Sequence, residues 1–134
     1  MIPYGRQDVS REDMDAVLKV LKSDWLTTGP AVDEFEQALE ATTGGNSVVA
    51  VSSGTAALHT AYAAADIGPG DEVITPPITF IATQATAIAV GATVSFADVQ
   101  PDTACIDPIA VESAITPRTR AIVAVDYAGH PCDM

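Results

Sequence analysis

The sequence predicts an α/β fold with a mostly parallel sheet and flanking helices. From residue 47 onwards, short apolar runs rich in β-branched residues alternate with helical stretches, a pattern typical of βαβ units. The composition also suits a packed domain, since 48% of the 134 residues are hydrophobic and 18% are charged. An acidic disordered segment would be far less apolar.

Two amphipathic helices are predicted before the first strand. The first begins with Ser10 as N-cap and Asp13 three residues later, a weaker form of the capping box. Its apolar residues recur at helical spacing over residues 14–21. The second helix has its apolar positions between Val32 and Leu39 and is closed by the glycine pair that starts at Gly44.

Strands and helices then alternate to the end of the chain. The pattern predicts strands at residues 47–52, 72–75, 93–97 and 120–125, and helices at residues 54–66, 79–90 and 108–115. The first strand is Val-rich and expected to be buried, and the helix that follows it is apolar enough to be buried on most sides. The chain therefore divides into an N-terminal helical segment, residues 1–45, and the first part of an α/β domain, residues 46–134. Nothing near residue 134 looks like a domain terminus, so we expect the front portion of a longer protein.

The charge balance excludes some functions. With 6 basic and 18 acidic residues the net charge is −12, and no stretch supplies the basic face that nucleic acid requires. The uncharged run over residues 78–97 contains too many hydroxyl residues to be a membrane span. No signal peptide is evident at the N-terminus. We expect a cytoplasmic protein without nucleic-acid or membrane partners.

Cysteine and histidine usage gives no metal or disulfide framework. Cys105 and Cys132 lack CxxC spacing and are predicted to be free, buried thiols. His59 and His130 have no cysteine or carboxylate at ligand spacing, so a metal site is not expected.

A possible anion site lies where the first strand turns into a helix, at Ser53-Gly54-Thr55-Ala56. Free backbone N–H groups at the positive end of a helix dipole suit a phosphate, and the Ser53 and Thr55 hydroxyls can add donors. The string matches neither a GxGxxG fingerprint nor a Walker loop. The alternative is an ordinary capped helix.

Two aromatic residues are candidate contacts. Phe80 follows the carboxyl end of the strand at residues 72–75, the side where open α/β sheets bind ligands. It can stack on a planar ring or pack in the core. Trp25 lies in the polar loop over residues 24–30, where it can serve packing or ligand contact.

Together these segments resemble the DegT/DnrJ/EryC1/StrS family of sugar-nucleotide aminotransferases, which are fold-type I pyridoxal 5′-phosphate (PLP) enzymes. The resemblance runs in order along the whole chain and is carried by residues 25–30, 35–36, 53–58, 68–73, 79–83 and 125–129. It implies the N-terminal part of the aspartate aminotransferase-like large domain. Residues 2–7, 23–27 and 77–80 look most like the pseudaminic-acid branch. Enzymes of that branch use glutamate, as a rule, to aminate a UDP-linked keto-deoxy-N-acetylhexosamine.

The resemblance implies roles for individual residues. The phosphate of PLP would be held by Ser53, Gly54, Thr55 and Ala56, and Phe80 would lie on the face of the pyridine ring. The nucleotide-sugar pocket, partly across a dimer interface, would be lined by Tyr4, Asp24, Trp25, Leu26 and Thr27. The predicted strand at residues 47–52 would lie at one end of the family's sheet, separated from the others by strands outside this chain. We therefore expect either that this strand moves in beside the last one or that sheet edges stay bare, and we expect a homodimer or higher homo-oligomer.

The chain departs from the family in its catalytic residues. The imine lysine and the aspartate that pairs with the pyridinium nitrogen are absent, since the only lysines, Lys19 and Lys22, lie on the outer face of the first helix. Asp126 occupies a position that the family does not use for that nitrogen. No catalytic residue is assigned. A dehydratase of the same family, with histidine for lysine, and a non-enzymatic phosphate-binding α/β module are the alternatives.

We predict that this chain alone has no transaminase activity and forms no imine between PLP and one defined lysine, because no lysine follows Lys22. After incubation with PLP and borohydride reduction, peptide mapping is expected to show no stoichiometric label at a single site. A near-complete adduct confined to Lys19 or Lys22 would contradict the prediction, whereas sparse labelling of both would not.

Overall fold

The computed structural model describes residues 5–134, which form five α-helices, three β-strands and one short 3₁₀ helix. Contacts along the chain group these residues into two units, one ending at Ala50 and the other beginning at Val51. No helix in this part of the chain is long and apolar enough to cross a membrane.

The first unit contains the two predicted helices, α1 (Arg11–Leu21) and α2 (Pro30–Thr42). The capping box is confirmed: the Asp13 amide donates to Ser10 Oγ at 3.1 Å, and the Ser10 amide donates to the Asp13 carboxylate at 2.8 Å. Hydrogen bonding from the Ser10 backbone amide, and from the Ser10 side chain, lowers the pKa of Asp13, because it favours the charged carboxylate. Helix α1 thus begins where the local signal places it, whereas α2 begins at Pro30, the last residue of the predicted loop. Proline suits the first turn of a helix because an N–H there has no helical acceptor.

The buried strand predicted at residues 47–52 is wrong. The segment is extended but pairs with no strand of the described chain. Val49 is 69% exposed, and Val51 is exposed as well. Val-rich sequence favours extended backbone, but burial in a sheet also requires strand partners, and none of the described strands pairs with this segment.

Glutamate side chains of α2 replace the missing strand neighbour on one side of this segment. The Ala50 amide donates to Glu36 at 2.7 Å and the Val48 amide to Glu40 at 3.2 Å. Four residues of helix rise about 6 Å, and alternate residues of an extended chain lie about 6.8 Å apart. Successive carboxylates on one helix face therefore match successive N–H groups on one side of the segment.

The second unit confirms the predicted α/β fold. Its elements are α3 (Gly54–Ala64), β1 (Glu72–Thr75), α4 (Ala82–Ala89), β2 (Thr93–Phe96), α5 (Pro108–Ala114), β3 (Thr119–Ile122) and the 3₁₀ helix Tyr127–Gly129. The sheet order is β2-β1-β3, and both strand pairs are parallel. The 47–52 segment does not pair with β3, so β2 and β3 are the edges of the sheet that the described residues form.

The core lies on both faces of the central strand. Val73 packs with Tyr62 and Ala87 on one face, whereas Ile74 packs with Val111 on the other. Side chains alternate across a strand, so one strand with helices on both sides organises two apolar clusters. Val73 and Ile74 are fully buried.

The expectation that the helix at residues 54–66 is buried on most sides is wrong. The helix ends at Ala64, and only Tyr62 among its residues is buried. It packs mainly against α4. An apolar helix is buried only on the sides where another element lies, and short alanine side chains do not reveal which sides those are.

The two cysteines are free, as predicted. Cys105 is buried and Cys132 is half-buried. Burial is the main cause that raises the pKa of the Cys132 thiol.

Candidate functional site

The predicted anion turn forms the N-terminus of α3. Ser53 is the N-cap, and its Oγ accepts from the Ala56 amide at 3.1 Å. The Ala57 amide donates to the Ser53 carbonyl at 3.0 Å. The first amides of a helix have no intrahelical acceptor, so those of Gly54 and Thr55 remain available for a ligand. The Ala56 amide, expected to hold the phosphate, is already used by the cap.

The surroundings of this turn suit an anion. The first turn of α3 contains no acidic residue, and the helix dipole adds positive potential there. Ser53, Gly54 and Thr55 are exposed. A Cβ built on Gly54 would meet no atom within 4 Å, so the space over the turn is open. Charges farther away than about 8 Å are screened at physiological salt, which limits the opposing effect of the chain's net charge of −12.

The loop after β1 presents Phe80 to solvent. Phe80 is 74% exposed, so it does not pack in the core of this unit. The residues around it are tied down: Gln84 Nε2 donates to the Pro76 carbonyl at 3.3 Å, and the Thr79 and Thr83 hydroxyls lie 2.9 Å apart. An exposed aromatic ring on an anchored loop is suited to contact a planar ligand.

A residue that the sequence analysis did not single out links these two segments. Tyr62 of α3 is 5% exposed, and its hydroxyl donates to the Thr83 carbonyl in the first turn of α4 at 2.9 Å. Burial raises the pKa of Tyr62. Its signal in the sequence is an isolated tyrosine among alanines.

The residues expected to line a sugar pocket lie in the first unit, apart from Tyr4, which is outside the described residues. Trp25 packs against Gly29, where an added Cβ would come within 2.6 Å of the Trp25 Cβ. With residues of α1 and α2, Trp25 also lines a groove of about 360 Å³. Asp24, Leu26 and Thr27 are exposed. Trp25 therefore serves packing and remains accessible to a ligand.

Among residues 5–134, the two lysines and Asp126 have the following surroundings. Lys19 and Lys22 are exposed. The Asp126 carboxylate accepts from the Cys132 amide at 2.9 Å, which is a structural contact. The described residues hold no group of three or more potential metal ligands.

Comparison with known proteins places the chain in a family. The model of the DegT/DnrJ/EryC1/StrS aminotransferase family matches residues 7–134. The spore coat polysaccharide biosynthesis protein SpsC of Bacillus subtilis strain 168 is 47% identical over 133 residues, which are 99% of this chain and 34% of SpsC.

Solved structures of aminotransferases are similar to this chain in both sequence and fold. The PLP form of Spr1654 from Streptococcus pneumoniae superposes with a TM-score of 0.91 at 39% identity, over 98% of this chain and 34% of Spr1654. PseC of Helicobacter pylori, an aminotransferase involved in the biosynthesis of pseudoaminic acid, gives 0.87 at 37% identity, over 98% of this chain and 36% of PseC. The chain thus spans about a third of the length of the relatives that it matches. It belongs to the DegT/DnrJ/EryC1/StrS aminotransferase family.

We predict that Phe80→Ala changes the free energy of unfolding by less than about 0.5 kcal/mol, as for a surface substitution. Ile74→Ala is the matched control, because Ile74 is fully buried, and is expected to cost about 2–5 kcal/mol. Urea denaturation of both variants measures the difference. A comparable loss in the two would mean that Phe80 is a core residue of this chain.

Proposed function

We propose that this member of the family supplies the phosphate-binding and ring-contacting residues of a PLP-dependent sugar aminotransferase. Two features support the proposal: the exposed N-terminus of α3 and the hydrogen-bonded loop that contains Phe80. The observation that carries the proposal is the turn before α3, where the Gly54 and Thr55 amides have no helix acceptor and open space lies above them. The PLP form of Spr1654 supports the cofactor assignment.

In this proposal, different residues of the chain bind the phosphate and the ring of the cofactor. The amides of Gly54 and Thr55, with the Thr55 hydroxyl, bind the phosphate, and Ser53 stabilises the turn through its bond to the Ala56 amide. Phe80 covers one face of the ring and keeps water from it. When bound, PLP supplies an electron sink for chemistry at an amino-bearing carbon. We assign no proton-transfer role to Lys19 or Lys22, which are exposed.

The proposed substrate is a nucleotide-linked keto sugar, with glutamate as amino donor. The specific sugar that we propose is a UDP-linked 4-keto-6-deoxy-N-acetylhexosamine. The likeness to PseC, an aminotransferase involved in the biosynthesis of pseudoaminic acid, supports a sugar of that branch. The exposed segment from Asp24 to Thr27 is the proposed contact region. Family membership favours this function over a non-enzymatic module, and the dehydratase alternative stays a prediction. We also propose that the protein is located in the cytoplasm.

The proposed boundary of the α/β domain remains at residue 46. Contacts group residues 46–50 with the preceding helices, because Glu36 and Glu40 hold that segment. In the family's full sheet the same segment would be the end strand, so we propose that additional strands would draw it into the second unit.

We predict that Thr55→Val weakens PLP binding to this chain by about 1.5–3 kcal/mol, the usual contribution of a hydrogen bond to a charged group. Valine keeps the shape of threonine and removes only the hydroxyl donor. Isothermal titration with PLP measures the change, and Thr60→Val, on an exposed position of the same helix, is the control. Equal affinities of Thr55→Val and the parent chain, or no binding by the parent chain, would overturn the proposed site.

We further propose that the chain self-associates, because the first unit leaves large apolar side chains uncovered, among them Leu21, Val32 and Phe35. The two sheet edges formed by β2 and β3 have unpaired backbone groups in the described chain, and such edges recruit partners. Light scattering at micromolar concentration is expected to show a dimer or larger species. A monodisperse species of 13.8 kDa with a cooperative melt would refute self-association.

A further inference from the structure

The Tyr62 hydroxyl is unusual because its surroundings are apolar. The ring packs with Ile67, Val73, Ala87 and Ala92, where a phenylalanine would bury the same carbon surface. A buried hydroxyl without a partner costs free energy, but here it donates to the Thr83 carbonyl at 2.9 Å. The hydroxyl therefore adds one directed contact rather than extra packing.

Thr83 fixes the end of the loop over residues 76–81, the Phe80 loop, which joins β1 to α4. Its amide donates to the Phe80 carbonyl at 3.1 Å, and its hydroxyl lies 2.9 Å from that of Thr79. The Thr83 carbonyl accepts the hydrogen bond from Tyr62. Each polar group of Thr83 therefore has a hydrogen-bond partner in addition to the i to i+4 bonds of α4. A shift of Thr83 would move the Phe80 loop.

The same tyrosine lies on the helix that begins at the anion turn. Tyr62 is eight residues beyond Gly54, about 12 Å along α3. A helix transmits a displacement along its axis because its hydrogen-bonded turns are stiff. The bond from Tyr62 to Thr83 therefore couples the position of the anion turn to that of the Phe80 loop.

We propose that Tyr62 is a positioning residue that sets the position of the Phe80 loop relative to the anion turn. A ligand with both a phosphate and a planar ring then binds with higher affinity than phosphate alone. This inference rests on the proposed cofactor function, since it assigns the ring contact to Phe80. Tyr62 does not touch the cofactor. It acts through the Thr83 carbonyl and the first turn of α4.

The test compares Tyr62→Phe with Tyr127→Phe in the full chain, because Tyr127 is exposed in the 3₁₀ helix. Hydrogen exchange is expected to be about fivefold faster for the amides of Thr83 and Ala85 in Tyr62→Phe, as follows from losing one net hydrogen bond. The amides of β1 are expected to keep their rates. Thr79→Val removes the neighbouring bond to Thr83 and serves as a second variant if Tyr62→Phe does not fold.

Ligand binding separates positioning from general support. Tyr62→Phe is expected to weaken PLP about threefold to fivefold, the effect of about one hydrogen bond, and to leave the affinity for inorganic phosphate unchanged. Equal losses for both ligands, or unchanged exchange at Thr83, would overturn the inference. If the parent chain binds PLP with no higher affinity than inorganic phosphate, Phe80 makes no ring contact and the inference about Tyr62 is wrong. If it binds neither ligand, the proposed function fails, and the exchange rates alone decide whether Tyr62 fixes the loop.

Discussion

The second unit depends on one central strand that has no exposed face. Val73, Ile74 and Thr75 of β1 are fully buried, with β2 and β3 on either side and an apolar cluster on each face. Shifting such a strand by one residue would send its side chains to the wrong clusters. The α-helices and the other strands of the unit contact this strand or a neighbour of it, so the loop that follows Thr75 starts from a fixed point.

The two ends of β1 are held by different chemistry. At its amino end, the largely buried Glu72 carboxylate accepts from the Thr116 and Thr119 hydroxyls at 2.9 and 3.0 Å, with Arg118 at 3.6 Å. A buried charge is tolerated only when it is paired and hydrogen-bonded, and these partners fix β3 beside β1 where the register shifts. At the carboxyl end, the hydrogen bonds to Pro76 and Thr83 all join neutral groups. None of them involves the Phe80 side chain, which is exposed.

Local signals predicted the parts of this structure that depend on neighbours in sequence. The capping box at Ser10, the strand at residues 72–75 and the exposed turn before α3 all follow from short stretches of the chain. The errors concern partners that are distant or absent. A Val-rich segment does not show whether another strand lies beside it, and the occupied Ala56 amide depends on the rotamer of Ser53. Nor does an isolated Tyr62 show that its hydroxyl reaches a carbonyl 21 residues away.

Energies decide what each half of the proposed cofactor site contributes. Stacking on Phe80 would bury roughly half of an aromatic side chain, about 100 Å², which is worth about 2.5 kcal/mol. Each hydrogen bond to a phosphate contributes about 1.5–3 kcal/mol, and the Gly54 amide, the Thr55 amide and the Thr55 hydroxyl offer three of them. The turn therefore supplies most of the affinity, for any phosphate ester. Selectivity among those esters must come from the smaller contribution of the ring contact, which depends on where the loop holds Phe80.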